Sequence, residues 1–183
     1  MKRLIGLLLG LVAVAEIMSL AYGGSTDSMN IKVTLVSNIE VNIEETEYNF
    51  GTLDSKATSV SGTAATVRNT SADNREDWAL KLSTTTVAWT LITTGTPAAE
   101  EFMLMAQFGT SAPSTWTSAN HALSTSNQNC SLTQYFGNNT YGECGLDVIP
   151  NATRKLWFRI TMPYSSSVIT EQTIPVTVTA TAG

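Results

Sequence analysis

The segment that decides the fold lies at the C-terminal end of the chain and reads Thr173-Ile-Pro-Val-Thr-Val-Thr-Ala-Thr181. Its apolar side chains recur at every second position, namely Ile174, Val176, Val178 and Ala180. This period of two is typical of a β-strand that buries one face. Pro175 has no backbone N–H to share with a neighbour, so the sequence predicts that this strand lies at a sheet edge or begins at the proline.

The same alternation recurs through most of the chain. It is found in residues 29–36, 39–44, 78–82, 87–91 and 155–162, and residues 59–69 and 101–108 are predicted to be strands as well. Only a short connection separates residues 155–162 from the C-terminal strand, so we expect both to fold back within one subunit. Residues 109–152 are rich in Gly, Asn and Ser and are predicted to be mostly loop. The pattern predicts an all-β fold, a single β-sandwich of about eight strands.

The composition agrees with strands and excludes some classes of function. Ser and Thr make up 46 of the 183 residues, whereas charged residues make up only 14%. Thr, like Val and Ile, suits a pleated surface better than a helix. The formal net charge of -5 argues against binding to nucleic acid through its phosphates. The length suits one domain.

The N-terminus has the features of a signal peptide. Lys2 and Arg3 precede an apolar run over residues 4–15, and the small residues Ala21 and Gly23 precede a cleavage point at Gly24. We therefore expect a signal peptide at 1–23, an extension at 24–38 and the sandwich at 39–183. Cleavage predicts a secreted, extracellular or cell-surface protein without lasting membrane insertion. The alternative is that the first segment stays attached as a helix.

Cysteine usage fits export. The chain has two cysteines, Cys130 and Cys144, and one histidine. In an oxidising compartment the two cysteines would most simply close a loop of about fifteen residues with a disulfide, worth roughly 3 kcal/mol. A Cys/His zinc site is not expected with a single histidine.

Three short segments resemble a known family. They are Tyr48-Asn-Phe-Gly-Thr-Leu53, Thr66-Val-Arg-Asn-Thr-Ser71 and Trp78-Ala-Leu80. Together they resemble the opening strands of bacterial immunoglobulin-like sandwich domains, over about 35 residues. The resemblance implies an immunoglobulin-like or jelly-roll-like form of the sandwich and no particular chemistry.

No catalytic constellation stands out. Glu100 and Glu101 are adjacent, and neighbours on a strand point to opposite faces. His121 has no acid or nucleophile near it in sequence and is interpreted as a surface histidine, and residues 165–167 are a serine turn. The expectation is a protein that is not an enzyme and that uses no cofactor.

The acidic residues offer only a weak metal site. Asp73, Glu76 and Asp77 could supply oxygens to calcium, but Arg75 interrupts them and no glycine provides the sharp turn. A second acidic group is predicted to form a solvated edge that discourages sheet aggregation; its members are Glu40, Glu44, Glu45 and Glu47.

Aromatic residues are the better candidates for contact with a ligand. Those in loops could stack on a sugar ring or on a neighbouring subunit: Trp116, Tyr135, Phe136 and Tyr141. The alternative is that this loop packs its rings on its own sandwich. Those in alternating segments are predicted to be core: Trp78, Trp89 and Trp157. Four Asn-x-Ser/Thr sequons permit glycosylation: Asn69, Asn129, Asn138 and Asn151.

The N-terminal alternating segment points to a function. Ile31, Val33 and Leu35 share one face, and no turn chemistry directs this strand back onto its own domain. The arrangement resembles exported, pilin-like fibre subunits, in which such a strand completes the sheet of the next copy. Burying these three side chains and a flanking apolar residue would contribute roughly 6 to 12 kcal/mol before ordering entropy, at about 1.5 to 3 kcal/mol each.

The leading hypothesis is therefore a structural subunit of an extracellular filament or surface layer, a helical homopolymer whose partners are copies of itself. The alternative position for the strand is the first strand of its own sandwich. The alternative function is a secreted carbohydrate-binding or adhesive sandwich with glycans as partners, using the 130–144 loop. A calcium-dependent surface protein would follow only if the Asp73–Asp77 loop binds metal.

Overall fold

The computed structural model describes Lys32 and residues 38–135 and 144–183. This part of the chain holds one short helix and nine strands in two sheets. The strands are β1 (Val41–Ile43), β2 (Thr58–Val60), β3 (Ala65–Asn69), β4 (Glu76–Leu82), β5 (Thr90–Leu91), β6 (Glu101–Phe108), β7 (Gln128–Asn129), β8 (Thr153–Thr161) and β9 (Val176–Ala182), and the helix is α1 (Ser118–His121). The predicted all-β sandwich is confirmed.

The larger sheet is organised around β8. Its strand order is β1-β3-β8-β6-β5, and β2 also pairs with β8. On one side β8 pairs antiparallel with β6, from Met103 opposite Thr161 to Phe108 opposite Leu156. On the other side it pairs with both β2 and β3. The predicted 59–69 strand is thus two strands on the same side of β8, interrupted at residues 61–64.

The smaller sheet has the order β7-β4-β9. β4 and β9 pair antiparallel along their whole length, from Glu76 opposite Ala182 to Leu82 opposite Val176. β9 begins directly after Pro175 and lies at the edge of this sheet within the described residues. The prediction of an edge strand that folds back within its own subunit is therefore confirmed.

The core lies between the sheets because each sheet turns one apolar face inward. β4 contributes Trp78, Leu80 and Leu82, whose alternation was predicted, and all three are buried. The opposing sheet contributes the alternate residues of β6 and β8, and the largest of these are Phe102, Leu104, Phe108, Leu156 and Ile160. Trp89 and Trp157 are only half-buried, so of the three predicted core tryptophans Trp78 alone is fully enclosed.

β6 differs from the other strands because both of its faces are covered. Met103 and Met105 point away from the main core, yet they are 2% and 7% exposed. They form a second cluster with Ala122, against which Ile92 and Trp116 pack. Part of the 109–152 region, predicted to be mostly loop, therefore covers the outer face of β6 through Trp116 and Ala122, and the described residues of this region add α1 and β7.

Two predicted strands are shorter than expected. The 39–44 segment forms only the three residues of β1, and the 87–91 segment forms only the two residues of β5, which runs parallel to β6. No helix among the described residues is both long enough and apolar enough to cross a membrane. The predicted signal peptide and the 29–36 strand lie outside the described residues, apart from Lys32.

Candidate functional site

A groove of about 570 Å³ opens beside the beginning of β9. Two chain segments line it, residues 43–50 after β1 and residues 171–176 before and at the start of β9. Leu104, Phe158 and Ile160 also line it, and all three belong to the inner face of the larger sheet. The groove therefore gives access to the apolar interior between the two sheets.

The first wall forms because β1 pairs with β3 over only three residues before the chain leaves the sheet. Glu44 N still donates to Thr66 O at 2.9 Å, and beyond it the 45–50 segment has no strand pairing. Tyr48 anchors this segment: its hydroxyl accepts a hydrogen bond from Gly62 N at 2.6 Å. Phe50 packs edge-on against the Tyr48 ring at 4.8 Å between centroids. The wall is thus held at its aromatic end, while its backbone remains outside any sheet.

The second wall is held from one side only. Ser83 N donates to Pro175 O at 2.8 Å, and Thr86 Oγ1 donates to Thr173 O at 2.9 Å. Ala88 N donates to the side-chain carbonyl of Gln172 at 2.8 Å. These bonds continue the direction of the β4–β9 ladder past the proline. They leave the opposite edge of the 171–176 segment facing the groove.

Beyond the groove, β9 runs from Val176 to Ala182 with one edge paired to β4. In an antiparallel ladder, successive residues direct their N–H and C=O groups alternately to one neighbour and to the other. Pro175 O accepts from Ser83 N, and Gly183 N donates to Arg75 O, so the odd-numbered residues of β9 direct their backbone groups to β4. Val176, Val178 and Ala180 therefore direct their backbone groups outward, where β9 pairs with no other described strand.

All charged side chains that line the groove are acidic among the described residues: Glu45, Glu47 and Glu171. Glu45 accepts hydrogen bonds from Thr66 N at 2.5 Å and from Thr66 Oγ1 at 3.0 Å. Desolvation raises the pKa of Glu45, but the Thr66 bonds and the Lys155 charge outweigh it and hold that pKa below its ordinary value. Glu47 and Glu171 form no such side-chain bond within the described chain.

The predicted aromatic contact site is wrong for Tyr135. This side chain is 0% exposed and belongs to the main core. Its hydroxyl donates to the Gln128 side chain and approaches Ala122 O at 3.2 Å, so the phenol has polar partners inside the protein. Burial raises its pKa. Trp116 is half-buried against the second cluster, with Nε1 donating to Pro113 O at 3.0 Å, whereas Phe136 and Tyr141 lie outside the described residues.

The predicted disulfide is not formed in this structure. Cys130 and Cys144 are both free and buried. Burial raises the pKa of the Cys130 thiol, and the neighbouring Cys144 raises it further. Burial likewise raises the pKa of Cys144. The backbone of each cysteine is hydrogen-bonded, since Cys130 N donates to Trp78 O at 2.8 Å and Arg154 Nε donates to Cys144 O at 3.2 Å.

The four sequons differ in the exposure of their asparagine side chains. Asn69 is 0% exposed, and its amide donates to Asn74 O and Val148 O while its carbonyl accepts from Ser71, so it cannot accept a glycan in the folded protein. Asn129 and Asn151 are exposed. Asn138 lies outside the described residues. The sequence could not separate these cases, because exposure depends on distant partners such as Val148.

The weak metal candidate does not come together. Glu76 is 0% exposed, and its carboxylate accepts from Glu40 N and from Trp78 Nε1, both at 2.8 Å. Asp77, next on β4, accepts from Asp147 N at 2.7 Å instead. Asp73 is exposed. Among the described residues no group of three or more His, Cys, Asp or Glu side chains could hold a metal ion.

Glu100 and Glu101 bond to different partners, whereas His121 differs from its sequence interpretation. Glu100 accepts three hydrogen bonds from Ser166 and Ser167 at 2.5 to 2.8 Å, so it fixes the serine turn. Glu101 accepts from Ala98 N at 2.8 Å. His121 is not a surface residue, since it is 5% exposed and its Nδ1 accepts from Thr117 N at 2.9 Å.

The four residues of the predicted acidic edge are all exposed, as expected for a solvated group. No sequence signal shows that the segment carrying three of them lines a groove, because the groove also depends on residues 171–176. Pro175 was the one available signal, since it marks the start of the open edge.

Comparisons with protein-family models, with curated proteins and with solved structures each found no match to this chain. The resemblance to bacterial immunoglobulin-like domains therefore stays a prediction.

Proposed function

We propose that this protein is a structural subunit of an extracellular filament or surface layer, assembled when residues 29–36 of one copy enter the groove of the next. The observation that supports it is the combination of an open β9 edge with an adjacent groove that reaches the apolar core. An exposed sheet edge is the usual template for an added strand. Secretion and self-association are parts of the same proposal.

The sequence of the entering segment fits the groove. Ile31, Val33 and Leu35 present one apolar face, which matches the apolar side chains of the groove interior. Its seven residues from 30 to 36 equal the seven residues of β9. A strand rises about 3.3 Å per residue, so the two would run alongside each other for roughly 23 Å.

The free energy for assembly would come from side chains that are now incompletely covered. Phe158, Ile174 and Val176 line the groove and are only half-buried. Each apolar side chain of the entering strand would contribute about 1.5 to 3 kcal/mol when fully buried. Part of this is offset by ordering the segment, at about 1 to 2 kcal/mol per residue for the backbone. The backbone ladder along β9 would fix the register.

The start of the sandwich favours exchange between copies. Asn38 O accepts from Asn74 Nδ2 at 3.0 Å, and Glu40 N donates to Glu76 at 2.8 Å. These bonds hold the chain at the end of β4 that pairs with Ala182, whereas the groove lies at the other end of β9. A return to its own groove would require a tight reversal at residues 37–40, which lack the Asn-Gly or Asp-Gly of a short hairpin turn.

A strand passed from copy to copy makes a head-to-tail contact. Each subunit then offers one strand and one groove, so a pair of subunits still has one free strand and one free groove. Such a contact does not close on itself unless the rotation happens to form a ring. A filament is therefore the expected product, and a catalytic centre is not needed for it.

The proposal is tested by electron microscopy of the mature protein and two matched variants. Val33→Asp places a charge on the face that enters the groove, whereas Thr34→Asp places the same charge on the opposite face. We expect filaments from the wild type and from Thr34→Asp, and monomers from Val33→Asp. Monomers from the wild type under all conditions, or filaments from Val33→Asp, would contradict the proposal.

A further inference from the structure

We infer that Lys32 of the entering strand is a specificity-determining residue, held by the acidic lining of the groove in the next subunit. This inference rests on the proposed function and names what the groove selects: a strand that carries one cation between its apolar residues. Lys32 is exposed in the described structure.

The groove lining supplies the charge on one side of the contact. Glu47 comes from the segment after β1 and Glu171 from the segment before β9, so each wall contributes a carboxylate. Neither carboxylate forms a hydrogen bond or an ion pair among the described residues. Glu45 differs, because Thr66 already occupies both of its oxygens. The lining contains no Lys, Arg or His within the described chain, so Glu47 and Glu171 are not neutralised there.

The entering strand supplies the opposite charge. Residues 29–36 read Met-Asn-Ile-Lys-Val-Thr-Leu-Val, and Lys32 is the single charged residue in them. Because side chains alternate along a strand, Lys32 points away from the face that carries Ile31 and Val33. Its four-carbon stem lets the ammonium reach the rim while the apolar face enters the groove.

Attraction between Lys32 and the acidic lining acts against a general repulsion between two copies. The chain has a formal net charge of -5, so two copies repel each other as they approach. A local attraction at the groove then decides which segment is admitted and in which register. Complementary charges of this kind act mainly on association rate and on the rejection of wrong partners.

The test uses the mature protein, residues 24–183, and follows assembly by light scattering and by the fraction of protein that is pelleted. Lys32→Gln removes the charge, and Lys32→Glu reverses it. At about 10 mM salt we expect Lys32→Glu to assemble about tenfold more slowly than the wild type, with Lys32→Gln in between. At about 1 M salt, where charges are screened beyond roughly 3 Å, the three rates should converge.

Exchanging the charges on the two sides of the contact tests whether Lys32 pairs with Glu47 and Glu171. Glu47→Lys with Glu171→Lys should slow assembly of chains that keep Lys32 and should restore it in chains with Lys32→Glu. Lys32→Glu chains that assemble at the wild-type rate in low salt would overturn the inference, as would a defect that persists in high salt or that the swap does not relieve. If the wild type itself does not assemble, the proposed function fails first, which separates the two results.

Discussion

The two sides of this sandwich handle a strand edge in opposite ways. On one side the edge of β6 beyond β5 is bonded by the following loop, since Leu123 N donates to Leu104 O at 2.9 Å and Ala122 bridges Met105. Trp116 and Ala122 of the same loop also cover the outer face of β6. On the other side β9 has strand pairing with β4 alone among the described residues, and the groove at its start reaches Phe158. We call these the covered side and the open side.

The difference shows how a chain with few charges can use its edges selectively. Edges are ordinarily protected by charged residues, prolines or covering loops. The covered side uses a loop of more than ten residues, stabilised by its own small cluster. The open side has Pro175 and a few carboxylates, and the outer edge of β9 has no strand partner there within the described chain. Trp116, which the sequence suggested as a contact residue, is thus part of the cover, and the groove lies at the start of β9.

The largest effect should come from removing an aromatic ring on the covered side. Phe102 is 0% exposed and packs near Trp89 at 6.3 Å between ring centroids. Phe102→Ala should lower the free energy of unfolding by about 3 to 5 kcal/mol, because it leaves a cavity in a closed core. Phe158→Ala on the open side should cost only about 1 to 2 kcal/mol in the monomer, because the ring is already half-exposed.

Urea unfolding of both variants, under conditions in which the protein is monomeric, measures this contrast. Phe158→Ala should in turn weaken assembly far more than it weakens the fold. Equal losses of stability for the two variants would mean that the groove is closed in solution and would remove the distinction between the sides.

A smaller effect concerns the connection that leads into the second groove wall. Glu100 fixes the serine turn, and the bonds from Ser166 and then from Ser167 hold the pKa of Glu100 below its ordinary value of 4.5. A carboxyl group with a lowered folded pKa stabilises the protein above its unfolded pKa, and that stabilisation is lost as pH falls through the folded pKa. Glu100→Gln cannot respond in this way.

Thermal unfolding followed by circular dichroism between pH 7 and pH 3 checks this prediction. The wild type should melt at a higher temperature than Glu100→Gln near neutral pH, and the gap should narrow below about pH 4.5. Ser167→Ala, which removes one donor and keeps the carboxyl group, should show a smaller gap with the same acid dependence. A gap that is constant over the whole pH range would show that ionisation of Glu100 does not contribute.

Much of the fold follows from local patterns. β4 and β8 bury alternate residues, as their sequences predict, and the proline before β9 predicts its edge position. β6 is an almost continuous apolar run, which fits burial on both faces. The predicted lengths of β1 and β5 are too long, because alternation alone does not show where a partner strand ends.

The sites were less predictable, because they depend on distant partners. Tyr135 lies in a polar loop sequence, and only its contacts with Gln128 and Ala122 show that the ring is inside. Glu76 lies in what reads as a polar turn, yet its carboxylate joins Glu40 to Trp78 in the interior. The two groove walls are more than one hundred and twenty residues apart in sequence, and their apolar floor comes from two further strands, β6 and β8.

The central claim is that each copy donates one strand and accepts one. Native mass spectrometry of wild-type protein mixed with isotope-labelled Val33→Asp chains tests it most directly, since the variant keeps its groove but has lost its donor face. The account predicts that each oligomer contains at most one Val33→Asp chain and that this chain ends the series. Val33→Asp chains that never join an oligomer, or that appear several times in one, would contradict the account.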